Sequence, residues 1–334
     1  MKTAKKIERL MPYSPTPDIY KTRLDANESF MTPPDFLLQR ITKAISEVAL
    51  NRYPDPDAKA LRTAAADYYG VATEQVAAGN GSDELISILL STFLEKGSRI
   101  LVSEPDFSMY GFYADLYEIS VTSCKKNEII EAAHKSNPDM IIFSNPCNPT
   151  GLGLNADAVM DIVRACDCYV VVDEAYMEFW NQSVISQIKS FRNLIVLRTC
   201  SKALGLAAVR CGFVISNEKT IENIMKVKSP FNVNALTQAA ALEILREKDY
   251  IISTSEKIVA SKNTLYRELS KFCDVSESVT NFVVVRTPHA ERVWKNLKRA
   301  GISVRKIMGD CLRITAGSER ENMAVIANLK EELL

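Results

Sequence analysis

Short apolar runs alternate with helix-like segments through the middle of the chain, and this alternation restricts the possible folds more than any other feature. The runs are rich in β-branched residues and lack polar alternation, as strands buried on both faces of a sheet do. They are residues 99–103, 140–144, 169–172, 193–197 and 212–215. Segments with helical periodicity, such as residues 84–94 and 156–165, lie between them. Such βα units predict an α/β fold with a mainly parallel sheet.

Three regions of different character suggest how the chain divides. Its 334 residues exceed the length over which one hydrophobic core usually keeps growing, so we expect two domains. Residues 1–45 are rich in proline and show no buried strand of their own, which indicates an N-terminal arm and part of a small domain. Residues 46–228 carry the βα units of a large domain, and residues 229–334 are expected to form a smaller α+β domain. That last region has a long helical stretch followed by short strands, at residues 234–272, 281–285 and 311–314.

Composition and charge argue against several kinds of partner. Lysine plus arginine and aspartate plus glutamate both number 41, and no basic stripe is visible, so we expect no nucleic-acid partner. No uncharged apolar run is long enough to span a bilayer, and no signal-peptide apolar segment follows the basic N-terminal residues. We therefore expect a cytoplasmic protein that does not bind membranes.

The cysteine and histidine content limits the possible chemistry. The eight cysteines contain no C-x-x-C pair, which fits reduced thiols better than disulfides or a zinc site. With only two histidines, His134 and His289, neither a Ser-His-Asp triad nor a multi-histidine metal site is expected. Acid–base chemistry in this chain would depend on lysine, tyrosine and carboxylate side chains.

Polar residues at strand ends are the candidates for that chemistry. Lys202 follows the run at 193–197 and precedes Arg210 by eight positions, while Asp173 directly follows three valines. Loops after parallel strands meet at one edge of a sheet, where ligands collect. An acid, a lysine and a phosphate-sized cluster of donors are what pyridoxal phosphate requires of a protein. Asp173 would then face a protonated pyridine nitrogen, although it could instead cap the next helix.

Two turns supply further candidate ligands. The turn Gly79-Asn80-Gly81-Ser82-Asp83 introduces a helix, so the free amides of Ser82 and Asp83 could hold an anion; an ordinary glycine turn with a serine cap is the alternative. In the segment 145–151, prolines on both sides of Cys147-Asn148 fix the backbone and could aim the Asn148 amide, or form only a rigid turn. Tyr176 lies close enough to Asp173 in sequence to reach the phenolic oxygen of the same ligand.

A dinucleotide site is the competing interpretation. The segment 151–156 matches G-x-G-x-x-A, opens a predicted helix and is followed by an acid, Asp173. However, six residues with two prolines separate Ser144 from the first glycine, which should stand at the strand end. An NAD-dependent dehydrogenase would also leave Lys202 and Arg210 without a role. An absorbance spectrum of the purified protein separates the two interpretations.

Motifs along nearly the whole chain carry a family resemblance. They are Leu24-Asp25-Ala26-Asn27-Glu28, Arg52-Tyr53-Pro54, the segment 79–84, Pro105-Asp106-Phe107-Ser108-Met109-Tyr110, the segments 145–151 and 173–176, Ser201-Lys202 with Arg210, Asn281-Phe282 and the segment 311–315. In this order and spacing, the chain resembles the pyridoxal-phosphate-dependent aminotransferases of fold type I, class I and II, in particular the branch that acts on histidinol phosphate. The resemblance implies a large domain with a mainly parallel seven-stranded sheet flanked by helices, and a smaller α+β domain.

The resemblance also implies a role for each candidate residue. Lys202 would bind the cofactor aldehyde and move the substrate proton, with Asp173 and Tyr176 as the other catalytic residues. The phosphate would be held by the Ser82 and Asp83 amides, Ser201 and Arg210, and by Tyr53 from a second subunit of a homodimer. The ring would contact Asn148 and Tyr176 at its phenolic oxygen and Phe107 on its face. The substrate would contact Tyr13, Asn27, Asn148, Arg305 and Arg313.

The implied reaction is a transamination between L-histidinol phosphate and 2-oxoglutarate in histidine biosynthesis. Relatives of the same fold decarboxylate threonine phosphate or transaminate aromatic and other small amino acids, and these remain alternatives. The pair Asn27-Glu28 favours the histidine branch. Departures from common family residues at Cys147, Leu204 and Ala208 fall on expected pocket walls, so they bear on the substrate. A regulator with a fused helix-turn-helix domain is disfavoured, because the segment before Asp25 is too short for one.

Overall fold

The computed structural model describes residues 3–10 and 19–333 of the chain. The strands of this part are β1 (Thr22–Leu24), β2 (Val76–Gly79), β3 (Arg99–Ser103), β4 (Ser120–Cys124), β5 (Met140–Ser144), β6 (Tyr169–Asp173), β7 (Leu194–Thr199), β8 (Gly212–Ser216), β9 (Asp274–Ser276), β10 (Phe282–Arg286), β11 (Ile302–Ile307) and β12 (Cys311–Thr315). The α-helices are α1 (Asp35–Ser46), α2 (Lys59–Tyr69), α3 (Ser82–Phe93), α4 (Met109–Leu116), α5 (Ile129–Ser136), α6 (Ala156–Ala165), α7 (Glu218–Val227), α8 (Ala235–Leu245), α9 (Lys248–Leu269), α10 (Ala290–Arg299) and α11 (Glu319–Leu333).

A seven-stranded sheet in the order β2-β8-β7-β6-β5-β3-β4 forms the larger layer. The strands from β7 to β4 in this order are parallel, whereas β8 is antiparallel to both β2 and β7. Residues in its centre, such as Ile141, Val171 and Val196, are completely buried. The predicted mainly parallel, seven-stranded α/β fold is confirmed.

Helices cover both faces of this sheet. Side chains of α3, α4 and α7 form a core on one face, and side chains of α2, α5, α6 and α8 form a core on the other. This burial explains why the strand sequences are continuously apolar, because neither side of the sheet faces water. Helix α8, which falls within the predicted small domain, thus contributes to the core of the larger layer.

A second sheet of five strands in the order β1-β11-β12-β10-β9 is formed by both ends of the chain. The expectation that the first 45 residues lack a buried strand is wrong, because β1 pairs in parallel with β11 and buries Leu24. The long helical stretch is two helices, α8 and α9, interrupted at Arg246 and Glu247. The domain boundaries at 45 and 228 remain a prediction.

All eight cysteines are free thiols, and Cys147, Cys166, Cys200 and Cys211 are buried. Within residues 3–10 and 19–333, no helix is both long enough and apolar enough to cross a membrane.

Candidate active site

A cavity of about 580 Å³ lies where the carboxyl ends of β5, β6 and β7 face the five-stranded sheet. Loops at this edge and residues of β11 and β12 line it. The predicted site residues among its walls are Asn27, Ser82, Asp83, Phe107, Asn148, Asp173, Tyr176, Ser201, Lys202, Arg210, Arg305 and Arg313. The structure therefore brings together candidates that are spread over almost the entire sequence.

Two predicted residues are not among the walls of this cavity. Tyr53 is 83% exposed and stacks on Phe231 with 4.6 Å between ring centroids. Tyr13 lies outside the described residues. Both predicted contacts remain predictions.

The amine of Lys202 sits in a mostly desolvated part of the cavity, where the charges of Arg313 and Arg210 oppose those of Glu28 and Asp173. Its Nζ donates a hydrogen bond to the carbonyl oxygen of Ala26 at 2.8 Å and lies 6.0 Å from the centre of the Tyr176 ring. Burial, followed by the charge of Arg313, lowers the pKa of Lys202 to about 8. Since an ammonium loses hydration here, more of this lysine is a neutral nucleophile near neutral pH than of an ordinary lysine.

Asp173 ends β6 and is almost completely buried. One carboxylate oxygen accepts a hydrogen bond from the Tyr110 hydroxyl at 2.8 Å, and the other accepts from the amide of Ala175 at 3.1 Å. Burial raises the pKa of Asp173 to about 6, and the hydrogen bond from Tyr110 opposes that rise. No lysine or arginine of the described residues forms an ion pair with this carboxylate, so it can receive a cationic ligand atom.

A network of hydrogen bonds orients Asn148 toward the cavity. Arg313 donates to Asn148 Oδ1 and, at 2.6 Å, to the carbonyl oxygen of Asp25. Because arginine only donates, the amide oxygen of Asn148 must face it, and the Nδ2 group is left to donate elsewhere. That Nδ2 has no acceptor in the described part of the chain. The backbone amide of Asn148 donates to Ser144 Oγ at 3.2 Å, which fixes the turn.

Tyr176 is held from the opposite side by Asn27. Asn27 Nδ2 donates to the Tyr176 hydroxyl at 2.8 Å, while Asn27 Oδ1 accepts from the Thr315 hydroxyl at 3.1 Å. Asn281 also donates to the Asn27 carbonyl at 3.0 Å. Both ends of the Asn27 side chain are engaged with protein groups, so in this arrangement it orients Tyr176. Its predicted contact with substrate remains a prediction.

The glycine turn before α3 forms a cradle of donors. The amide of Asn80 donates to the Glu84 carboxylate at 2.7 Å, and the amide of Gly81 donates to the Gly79 carbonyl at 2.8 Å. The amides of Ser82 and Asp83 have no acceptor within the described ranges, as expected for the first turn of a helix. These two amides are therefore free for an anion.

Arg210 closes the cradle. A Cβ atom on Gly81, where φ is +85°, would lie 2.6 Å from Arg210 Nη2, so the guanidinium lies directly over this glycine. Arg210 Nη1 also donates to Ser201 Oγ at 3.4 Å. A Cβ on Gly212 would approach the Ser82 nitrogen to 2.4 Å, so glycine here lets β8 lie against the turn. The turn, Ser201 and Arg210 match the size and charge of a phosphate.

Arg305 and Arg313 lie opposite each other on the antiparallel strands β11 and β12. Arg313 is buried and held by Asn148 and the Asp25 carbonyl. Arg305 is half-buried and forms no hydrogen bond or ion pair with the described residues. This wall of the cavity therefore presents a guanidinium that can bind an anion.

Sequence reasoning missed several groups that shape the site. In the motif at residues 105–110 only Phe107 is predicted to contact the cofactor, yet Tyr110 donates to Asp173 and Asp106 accepts from the amide of Phe107, both at 2.8 Å. Asp106 also accepts from the hydroxyls of Ser103 and Ser144, which joins the loops after β3 and β5. The contacts of Tyr110 with Asp173 and of Asp106 with Ser144 span 63 and 38 positions, so no local pattern marks them.

The competing dinucleotide segment has a structural role. A Cβ on Gly153 would lie 2.2 Å from the Trp180 ring, so close packing explains this glycine. Asn155 caps α6 by accepting from the Ala158 amide at 2.8 Å. In contrast, the walls of the cavity fit pyridoxal phosphate, with an amine, a buried carboxylate lacking a cation, and a glycine cradle that a Cβ would fill.

Comparison with known proteins agrees with this geometry. Residues 20–329 match the family model for aminotransferase class I and II. A histidinol-phosphate aminotransferase of Clostridium novyi (strain NT) is 41% identical over 340 residues, covering 98% of this chain and 96% of that one. A histidinol-phosphate aminotransferase structure from Sinorhizobium meliloti, in complex with pyridoxal-5'-phosphate, has a TM-score of 0.92 at 24% identity and covers 99% and 97% of the two chains. The L-threonine-O-3-phosphate decarboxylase from Porphyromonas gingivalis has a TM-score of 0.83 at 24% identity and covers 93% and 99%.

The two structural matches establish the fold alone, and the sequence matches carry the assignment. The family model spans nearly all of the described chain, and the Clostridium relative aligns with it almost from end to end. The aminotransferase interpretation is confirmed, and the dinucleotide alternative finds no support. The chain therefore belongs to the class I and II aminotransferase family, enzymes that depend on pyridoxal 5′-phosphate.

Proposed function

We propose that this protein transfers an amino group between L-histidinol phosphate and 2-oxoglutarate, a step of histidine biosynthesis. The observation that carries the proposal is a single cavity that combines the Lys202 amine, the Asp173 carboxylate and the arginine pair of β11 and β12. The clostridial relative that shares 41% of its residues with this chain is a histidinol-phosphate aminotransferase, which supports the choice of substrate.

Pyridoxal phosphate supplies an aldehyde that takes up the amino group and a ring that withdraws electrons from the substrate. The Ser82 and Asp83 amides, with Ser201 and Arg210, would hold its phosphate. The Asp173 carboxylate would hold the ring nitrogen in its protonated form. Asn148 and Tyr176 would donate hydrogen bonds to the phenolic oxygen, and the Phe107 ring would lie against the ring face. These roles are supported by the free donors and the buried carboxylate described above.

Lys202 would act both as the anchor of the cofactor and as the base. Its lowered pKa favours the neutral amine, which is the form that attacks an aldehyde. Once the substrate amine has taken its place, Nζ would accept the proton that leaves the substrate Cα. The Ala26 carbonyl, 2.8 Å from Nζ, restrains the amine at the cavity wall.

Arg305 and Arg313 would bind the anionic end of each substrate. Arginine forks suit phosphate and carboxylate equally, so one site could take histidinol phosphate in one half-reaction and glutamate or 2-oxoglutarate in the other. Asn27, Asn148 and Tyr13 are the further proposed substrate contacts. Two acceptors already position Arg313. We therefore propose that Arg313 binds the anion in a fixed orientation and that Arg305 adjusts its position to the phosphate or the carboxylate.

We further propose a homodimer in which Tyr53 reaches the cofactor phosphate of the second subunit. Tyr53 and Leu50 are each 83% exposed, and exposed Phe36, Leu38 and Leu236 add apolar surface. Large exposed apolar side chains of this kind are typical of interfaces when they are contiguous.

We also propose a division into domains and a cellular location. Residues 46–228 would form the large domain, and residues 1–45 with 229–334 would form the arm and small domain. The free thiols of all eight cysteines support a reducing compartment, so we propose the cytoplasm, with small-molecule substrates and without nucleic-acid or membrane partners.

The deciding experiment is incubation of the purified enzyme with each candidate amine. With histidinol phosphate and 2-oxoglutarate, we expect formation of glutamate and the keto product of the amine. Parallel samples with threonine phosphate, phenylalanine and histidinol test the alternatives. Release of carbon dioxide from threonine phosphate, or a higher kcat/KM with phenylalanine than with histidinol phosphate, would contradict the proposal.

A further inference from the structure

A carboxylate lies beside the phosphate cradle, where a negative charge is unfavourable. Asp83 is the second residue of α3, and its backbone amide is one of the two free donors of the turn. Its Oδ2 accepts a hydrogen bond from the Tyr113 hydroxyl at 3.1 Å, whereas its buried Oδ1 has no partner among the described residues. Burial raises the pKa of Asp83, while the Tyr113 hydrogen bond and the charge of Arg210 lower it.

This carboxylate and a bound phosphate would compete for the same cation. Arg210 interacts electrostatically with Asp83 and lies over Gly81 in the cradle. Carboxylates and phosphates both form strong bidentate pairs with a guanidinium. An Asp83 side chain that could rotate freely would therefore tend to occupy Arg210 and repel the dianion.

We infer that Tyr113 is a positioning residue that holds the Asp83 carboxylate away from the phosphate cradle and so increases the affinity for the phosphate end of the cofactor. The inference rests on the proposed location of that phosphate at the turn before α3. Tyr113 lies on α4, three residues after Tyr110, which binds Asp173 at 2.8 Å. One helix thus restrains the carboxylates at both ends of the cofactor site.

The chain offers a matched control one helical turn further on. Tyr117 follows α4, and its hydroxyl forms a hydrogen bond of 2.7 Å with Ser87 Oγ on α3. The Tyr117→Phe variant therefore removes a tyrosine hydroxyl that joins the same two segments, but without releasing a carboxylate.

The test measures how tightly the full chain, freed of cofactor, binds pyridoxal phosphate and pyridoxal, which lacks the phosphate. We expect Tyr113→Phe to raise the Kd for pyridoxal phosphate about tenfold and the Kd for pyridoxal less than about twofold, the size expected for a hydrogen bond to a charged group. Tyr117→Phe should change neither value. Adding Asp83→Asn to Tyr113→Phe should restore the affinity for pyridoxal phosphate to within about threefold of the original chain.

Three results would overturn the inference. Equal losses for both ligands would mean that Tyr113 only stabilises the fold. An unchanged Kd for pyridoxal phosphate would mean that the hydroxyl has no effect on the cradle. Failure of Asp83→Asn to rescue binding would mean that the carboxylate is not the cause.

The Arg210→Met variant distinguishes this inference from the proposed function on which it rests. If that variant weakens pyridoxal phosphate no more than pyridoxal, the phosphate is not held at this turn. If it selectively weakens pyridoxal phosphate and Tyr113→Phe does not, only the role of Tyr113 is wrong.

Discussion

Burial acts in opposite directions on the pKa values of the two central residues. It lowers the pKa of Lys202 to about 8 and raises the pKa of Asp173 to about 6, because in both cases the charged form loses water. A larger fraction of Lys202 is therefore the neutral, nucleophilic amine near neutral pH. Asp173 must instead be kept ionised, and the hydrogen bond from the Tyr110 hydroxyl is the largest effect that lowers its pKa.

Replacing Lys202 by alanine tests the covalent role. We expect Lys202→Ala to lose both turnover and the absorbance band of the lysine-bound cofactor. Lys262→Ala is a suitable control, because Lys262 is also buried with a lowered pKa but donates to the Ser278 carbonyl at 2.6 Å, away from the cavity. Normal turnover of Lys202→Ala would contradict the assignment.

Removing the Tyr110 hydroxyl should alter the pH dependence. The hydrogen bond from Tyr110 stabilises the charged carboxylate, so its loss raises the pKa of Asp173 further above its ordinary value. In Tyr110→Phe, the fall of kcat/KM at low pH should therefore begin at a pH about one unit higher, the equivalent of one hydrogen bond to a charge. The pH profile of kcat/KM measures this shift, and an unchanged acid limb would show that Tyr110 does not control Asp173. Tyr117→Phe should retain the original profile.

Residue type and position in the sequence identified the groups proposed to perform the chemistry. They did not identify the residues that shift the pKa values of those groups. Asp173 was found because a carboxylate at the end of a buried strand is costly without a cationic partner, and Lys202 because it follows a buried strand and precedes Arg210 by eight positions. Tyr110 was missed as a site residue because a buried tyrosine on a helix looks like an ordinary core residue until its partner, 63 positions away, is known.

At the scale of elements, the site is built where two sheets meet. The parallel strands β5, β6 and β7 deliver Ser144, Asp173 and the loop with Lys202 to one edge. The hairpin of β11 and β12 faces that edge and places Arg305 opposite Arg313. The larger sheet thus carries the candidate catalytic groups and the phosphate cradle, and the smaller one carries the candidate site for the substrate anion.

The arginine pair makes a specific prediction about substrate choice. We expect Arg305→Met to raise the KM for histidinol phosphate by about tenfold to a hundredfold, because a charge-assisted pair with the phosphate is lost, and to leave kcat nearly unchanged. The KM for histidinol, which lacks the phosphate, should change little. The control is Arg286→Met, since Arg286 is exposed on β10 of the same sheet and does not line the cavity. Equal effects on both amines would show that Arg305 does not bind the phosphate.

Elements could be predicted where the signal was local. Buried strands such as β5 and helices such as α6 were recognised from periodicity and matched the structure. Strand β1 was missed because it has only three residues, and it is a strand only through its pairing with β11 at residues 302–304. The interruption between α8 and α9 has no proline or glycine to mark it.

At the scale of the whole molecule, the proposed dimer can be tested by complementation. Lys202→Ala and Tyr53→Ala chains are each expected to be impaired alone, the latter through weaker cofactor binding. If Tyr53 serves the opposite subunit, a mixed dimer contains one intact site, so co-expression of the two chains should recover up to about a quarter of the sites. Activity per chain, measured against each variant alone, checks this result. No recovery, with mixed dimers demonstrated by mass spectrometry, would show that Tyr53 acts within its own subunit.

The hydrogen bond between Asn27 and Thr315 joins residues 288 positions apart, and Arg313 reaches the Asp25 carbonyl over the same separation. Contacts of such long range form late, because closing a long loop costs entropy before the contact offsets it. During synthesis on the ribosome, the seven-stranded sheet can therefore fold while one wall of its pocket is still missing. A nascent chain would present the Lys202 loop before Arg305 and Arg313, the candidate groups for binding substrate anions, are in place beside it.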